Sequence, residues 1–311
     1  MLIKTNYTIN EQALRDSETL TVEYDILVSE EIDYNKSHVK KYLNDTIRKK
    51  CRFCKRDFTE VKFNSVAHAI PEFTGNKSLI ARFECDSCNQ YFSKLESEFA
   101  NFMLPYNALG GVIKKGNKSS KYKQDIVVYH SKENCIHINN LTKKLPTDAK
   151  EVDLELDIPS YIPDFIYRSL IKIGLTLVPE YTISTYQETL TWLMDTSRDT
   201  IFPASMFFSV YPFSNPSDKI RCVILTRKKS IIREIPSTLL ILNYRNFSFQ
   251  TFFPVSISEN KRTLTPFPVA IPTPLDLNLR LAEEVVHKLV DLSKRDRIKG
   301  EKAEFKFKSL D

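Results

Sequence analysis

The chain has 311 residues, 42% of them hydrophobic, with a formal net charge of +6. That length buries at least one full core, and composition of this kind is ordinary for a soluble globular protein. Only 6 glycines are present, no G-x-G-x-x-G or G-x-x-x-x-G-K-[ST] occurs, and no run approaches eighteen apolar residues; nucleotide-cradling loops and membrane helices are therefore not expected.

In chain order, residues 1–33 are acidic after the first few, and Thr19–Val28 alternates with β-branched residues as a strand would. The start at Met1 lacks the basic-then-apolar order of a secretory signal, so a cytoplasmic protein without a membrane anchor is expected. Residues 35–49 place Val39, Leu43 and Ile47 four apart and predict a short helix, with His38 on its surface.

The next stretch holds most of the chemistry. Cys51-Arg-Phe-Cys54 and Cys85-Asp-Ser-Cys88 are two C-x2-C pairs separated by thirty residues, and they use four of the chain's six cysteines. Four thiolates close a tetrahedral zinc or iron site, and in a reducing compartment metal binding is a better use of such pairs than disulfides. A purely structural zinc knuckle is the plain alternative to a catalytic module. Between the pairs, Asp57–His68 predicts a strand turning into a loop opened by Pro71. After the second pair, Phe92, Leu95, Glu96, Phe99 and Phe102 recur at helical spacing. Two strands and a helix joined by a metal would form the module.

Cys51-x2-Cys54, His68 with Ile70-Pro71, Gly75-Asn76 and Cys85-x2-Cys88-Asn89, in that order, resemble the HNH nuclease family over residues 48–105. The resemblance implies a ββα-metal fold in which Cys51, Cys54, Cys85 and Cys88 bind a structural Zn2+. It also implies a separate catalytic Mg2+ or Mn2+, DNA as the partner, and metal-dependent endonuclease activity. His68 matches the general base, Asn89 the last His or Asn of the motif, and Asn76 the middle asparagine. In many members that asparagine stands nearer the second cysteine pair, where this chain has Ile80. A role in bacterial restriction or anti-phage defence belongs to the same analogy. The position before the base, usually a metal-ligating Asp, Glu or His, is Ala67, whose methyl binds no cation. Glu72, Glu84, Asp86 and Glu96 are the nearby carboxylates, and the catalytic cation ligands stay unknown. The alternative is an inactive zinc-containing DNA-binding or assembly module.

The residues support that chemistry independently. Phosphodiester hydrolysis needs a base that is neutral near pH 7, which imidazole supplies, and charge stabilisation beside the scissile phosphate. Basic groups flank the window: nine Lys or Arg against three acidic residues between Lys40 and Lys62, and nine Lys against three between Val112 and Lys150. A polyanion such as DNA would be drawn to such clusters, although charge runs are also ordinary solvated faces. His68 against Ala and Ile also reads as a satisfied core histidine, and Gly75-Asn76 as an ordinary turn pair.

Downstream, residues 107–124 hold three glycines and many lysines and read as a basic connection. Strands are predicted at 125–129, 135–138 and 151–158, the last with one buried and one acidic face. Helices follow at 161–179 and 186–194, then strands at 206–211, 221–226, 239–244 and 247–253. Cys135 and Cys222 read as buried small hydrophobes, and His130 and His137 as structural residues on neighbouring strands. Four prolines between Pro266 and Pro274 predict an extended connection, residues 283–292 a short helix, and 294–311 a charged, solvated tail.

The expected architecture is α+β: an N-terminal zinc-stabilised ββα-metal module followed by an α+β domain with a mainly antiparallel sheet. The expected divisions are 1–106 for the module with its leading strand and helix, 107–124 for the connection, 125–293 for the C-terminal domain and 294–311 for the tail. A regulatory ligand or protein partner at the C-terminal domain, gating the nuclease, and a homo-oligomer are both compatible with this plan.

Overall fold

The computed structural model describes residues 2–5, 22–43, 50–112, 121–122, 127–130, 135–138, 151–197, 204–213, 216–231, 235–255 and 285–308. Strands β1 (Leu2–Thr5), β2 (Tyr24–Asp33), β3 (Lys41–Leu43) and β4 (Leu79–Ala81) precede a long helix, α1 (Asp86–Leu109). Strands β5 (Lys121–Tyr122), β6 (Val127–His130), β7 (Cys135–Ile138) and β8 (Glu151–Asp157) lead to helices α2 (Pro163–Leu177) and α3 (Gln187–Leu193). Strands β9 (Ser205–Val210), β10 (Lys219–Arg227), β11 (Thr238–Tyr244), β12 (Phe247–Phe252), β13 (Val285–Asp291) and β14 (Lys302–Lys308) complete the described elements. The fold is α+β with a mainly antiparallel sheet, as expected.

That sheet has seven strands in the order β1-β13-β9-β12-β11-β10-β2, every neighbouring pair antiparallel. In β10 alternation buries Ile220, Cys222 and Ile224, while β11 is buried along its whole length because both faces are covered. Helix α1 lies on the sheet through the stripe Phe92, Leu95, Phe99, Phe102 and Tyr106, all buried. Its rings meet the sheet edge-on: Phe99 on Phe249 at 5.2 Å and Tyr106 on Phe208 at 4.9 Å between centroids. The helix that begins at the second cysteine pair thus ends inside the core of the large sheet.

Helix α2 packs on α1 and is buried almost all round. Two of its charges pair within the helix: Arg168 donates to Asp164 at 2.8 Å, both fully buried, and also to the main-chain oxygen of Trp192 at 2.7 Å, tying α2 to α3. Gly174 sits in mid-helix, where glycine is unfavourable, because a Cβ there would lie 2.7 Å from the Phe253 ring.

Several expectations are corrected. The leading strand β2 pairs with β10 of the large sheet; of the residues expected in the basic connection, 107–109 finish α1 and 110–112 follow it, all buried. No helix covers residues 35–43: a single 3-10 turn, Tyr34–Lys36, gives way to β3, which pairs in parallel with β4. Ladder bonds to β4 outweigh the weak four-residue apolar spacing there, and Val39 is exposed. Residues 44–49, including Ile47, lie outside the described residues. The stretch 285–291 is a strand, because Val285 and His287 alternate inward between β9 and β1. In the expected tail, β14 pairs with β8, whose acidic face meets lysines: Lys302 lies 2.7 Å from Glu155. The proline-rich segment 266–274 lies outside the described residues. No helix among the described residues is long and apolar enough to cross a membrane.

Candidate metal centre and histidine site

Cys51, Cys54, Cys85 and Cys88 bring their sulfurs within 4.8 Å of one another, with Cys51 to Cys88 at 3.8 Å and Cys54 to Cys85 at 3.7 Å. A tetrahedral zinc with Zn–S bonds of about 2.3 Å has sulfur–sulfur edges of about 3.8 Å, so the donor set and its spacing fit that ion. The first pair sits on a tight turn in which Lys55 N–H bonds Cys51 O at 3.1 Å and Lys55 adopts φ 61°. The second pair opens α1: Cys85 is its N-cap and Cys88 lies in its first turn. The hydrogen bond shared by Cys51 and Cys88 holds the Cys51 thiol down at about 4 and pushes Cys88 up. Such sharing of a proton between sulfurs is what four neighbouring thiols do before a cation makes thiolates of them all.

The strand expected over 57–68 is reduced to single bridges, Lys50 to Asp57 and His68 to Ile80. The intervening backbone is satisfied by side chains instead: Asp86 accepts from Asn64 N and Ser65 N, each at 2.8 Å, and Asp57 accepts from Thr59 N at 2.9 Å. Around His68 the pairing with β4 is firm, with Ala69 N on Leu79 O at 3.1 Å and Ala81 N on Ala67 O at 2.8 Å.

The loop between these strands is locked by Asn76, which is fully buried. Its amide donates to Ile70 O at 2.7 Å and Leu79 O at 3.1 Å, and its Oδ1 accepts from Ser78 N at 3.1 Å and Leu79 N at 2.9 Å. Gly75, at φ 95°, makes the left-handed step before it, pressed against the Tyr34 ring. The side chain of Asn76 is therefore committed to the loop backbone. Its main-chain oxygen does reach the site, accepting from His68 Nδ1 at 3.1 Å.

That bond fixes the tautomer. A carbonyl only accepts, so Nδ1 carries the proton and Nε2 is left as the basic nitrogen. Burial lowers the pKa of the half-buried His68, opposed by Glu72, by the bond to Asn76 and by Glu96, while Lys40 lowers it further. Asn89 is half-buried in the first turn of α1, its N–H bonded to Cys85 O at 2.9 Å. No hydrogen bond joins it to His68 among the described residues.

The four carboxylates separate clearly. Asp86 is committed to the 64–65 backbone. Burial pushes Glu84 up to about 7, and its Oε2 lies 3.3 Å from the Lys172 ammonium. Glu96 also pairs with Lys172, at 3.1 Å, while Glu72 and Glu96 are the acidic groups that act on His68. Ala67 is buried and offers no ligand. Among the described residues no group of three cation-binding side chains gathers beside His68, so a preformed cage for a second cation is absent there.

Two residues that mattered were not singled out from sequence as site residues. Arg52, inside the first C-x2-C turn, donates to Leu175 O, Thr176 O and Val178 O at 2.9, 2.9 and 3.0 Å, capping the C-terminus of α2. Lys172 donates to His68 O at 3.1 Å from the middle of α2. The signal for Lys172 was a further charge, beside Asp164 and Arg168, inside a mostly apolar helix.

Residues 51–104 match the family model described as HNH endonuclease. That match, with the four gathered cysteines, supports a nuclease or metal-binding role. No curated protein and no solved structure matches the chain.

Proposed function

We propose, taking the HNH endonuclease segment as the premise, that the protein hydrolyses phosphodiester bonds in DNA with His68 as general base. The observation that carries this reading is the bond from His68 Nδ1 to Asn76 O, which leaves Nε2 basic on a half-buried ring whose charged form burial disfavours. Nε2 takes a proton from water, the water oxygen attacks phosphorus, and the bond to the 3′ oxygen breaks; that oxygen takes a proton from solvent, leaving a 5′-phosphate and a 3′-hydroxyl, and the imidazolium returns its proton to solvent. Asn76 keeps the ring oriented through its carbonyl while its side chain holds the loop. A divalent cation, when bound, would offset the charge on the phosphate and leaving oxygen.

Cys51, Cys54, Cys85 and Cys88 would hold zinc away from that chemistry, joining the first turn to the start of α1. Lys40, Lys41, Lys77 and Arg82 lie on or beside the β3-β4 pair at exposed or half-exposed positions and would meet backbone phosphates. Cleavage of invading DNA in restriction or defence fits a nuclease of this kind, and its C-terminal region would position or gate the module.

Ala67 favours a second reading, a zinc-containing DNA-binding module without activity. The zinc-loaded protein incubated with plasmid and phage DNA under a Mg2+ or Mn2+ titration, with a chelator control, separates the two. Cation-dependent cutting supports the nuclease; tight binding without cutting across both cations supports the second reading.

A further inference from the structure

Lys172 is a charged side chain at the centre of a buried helix. Only 1% of it is exposed, and its ammonium meets oxygens from three segments: His68 O and Glu96 Oε1 at 3.1 Å each, and Glu84 Oε2 at 3.3 Å. The Phe92 ring lies 5.6 Å away on another side. Burial opposes the ammonium charge, but Glu84 and Glu96 outweigh it and raise the pKa, so Lys172 is a cation. Helix α2 lies wholly outside residues 51–104, so this contact is made to the HNH segment from elsewhere in the chain.

We propose that Lys172 is a positioning residue for His68, its ammonium pinning the main chain of the base to the Glu96 carboxylate on α1. The inference rests on the reading of His68 as the base. It makes the C-terminal region part of the site: α2 sets where the imidazole sits, and any movement of α2 is felt there. The ammonium also balances charge. Glu96 and Glu72 face His68 and favour its protonated form, Lys40 opposes them, and the Asn76 carbonyl accepts from the ring. Without Lys172 the Glu96 charge is uncompensated, and the imidazole binds a proton that it must leave free to act as a base.

The test uses the full-length, zinc-loaded protein, with Lys172→Met, Glu96→Gln and the double variant. Histidine labelled with nitrogen-15 follows the His68 ring by NMR, assigned by His68→Gln, alongside DNA affinity and single-turnover plasmid cleavage. Lys172→Met should retain zinc and DNA affinity, raise the His68 pKa, and slow cleavage at neutral pH about 100-fold, as expected for a base displaced by about an ångström. Raising the pH should recover part of that loss. Glu96→Gln, at a half-exposed position, should lower the His68 pKa, and in the double variant the pKa should return toward the native value while cleavage stays slow.

A folded Lys172→Met protein with native His68 titration and native cleavage overturns the proposal. Should that variant fail to fold, an unchanged His68 titration in Glu96→Gln overturns it equally. Absence of cleavage by the native protein would count against the nuclease reading, and the His68 titration would still decide the positioning role.

Discussion

His68 Nδ1 lies 3.1 Å from the main-chain oxygen of Asn76, eight residues further along the chain. Everything that fixes that oxygen fixes the ring. The side chain of Asn76 makes four bonds to the loop, two given and two received, all buried. Replacing Asn76 by Ala leaves Ile70 O, Ser78 N and Leu79 N short of a partner, and should cost at least about 3 kcal/mol, since each of these unsatisfied buried groups costs about 1–3 kcal/mol. Urea unfolding measures the loss. Cleavage should fall with it even under conditions where the variant is folded.

The pH dependence follows from the direction of the His68 shift. Burial holds its pKa below the ordinary 6.5, so the neutral, basic form dominates at pH 7. Single-turnover cleavage should be level near neutrality and fall on the acid side with a midpoint below 6.5. A midpoint above that value would show an imidazole in a different electrostatic setting. The same depressed pKa makes folding stability contributed by His68 present above 6.5 and lost as pH falls through the folded value.

Much of the site was legible because its signals are local. Two C-x2-C pairs need only a turn and a helix start to bring four sulfurs together, and the stripe from Phe92 to Phe102 announced the helix. Alternation announced β8, and short apolar and aromatic runs announced β9 to β12, for the same reason. Asn76 was picked out, but its role through the main chain was not, since a carbonyl carries no sequence signature. Lys172 and Arg52 act across 104 and more than 120 residues of chain, and nothing in their neighbours' spacing points to those partners. Residues 285–291 misled because Val285, Val286, Leu289 and Val290 suit helical spacing as well as a strand; the place left between β9 and β1 decided it.

Arg52 joins the zinc turn to the end of α2, where three main-chain oxygens and the Glu180 carboxylate at 3.0 Å receive it. Its guanidinium also lies 3.9 Å over the Phe83 ring. Arg52→Met keeps the apolar stem but strips the carbonyls of their donor, and should cost at least about 2 kcal/mol, since a hydrogen bond to a charged group contributes about 1.5–3 kcal/mol. Thermal unfolding of the zinc-loaded variant checks this. An unchanged midpoint would mean that water or another donor takes over the cap.

The most direct test of the whole account compares native protein and His68→Ala on supercoiled plasmid with Mg2+ or Mn2+, both matched for zinc content and fold. Native protein should nick the plasmid and leave 5′-phosphate and 3′-hydroxyl ends, and His68→Ala should lose at least about 100-fold of that activity, the scale of general base catalysis. Equal cutting by the two proteins, or no cutting by the native one, would contradict it.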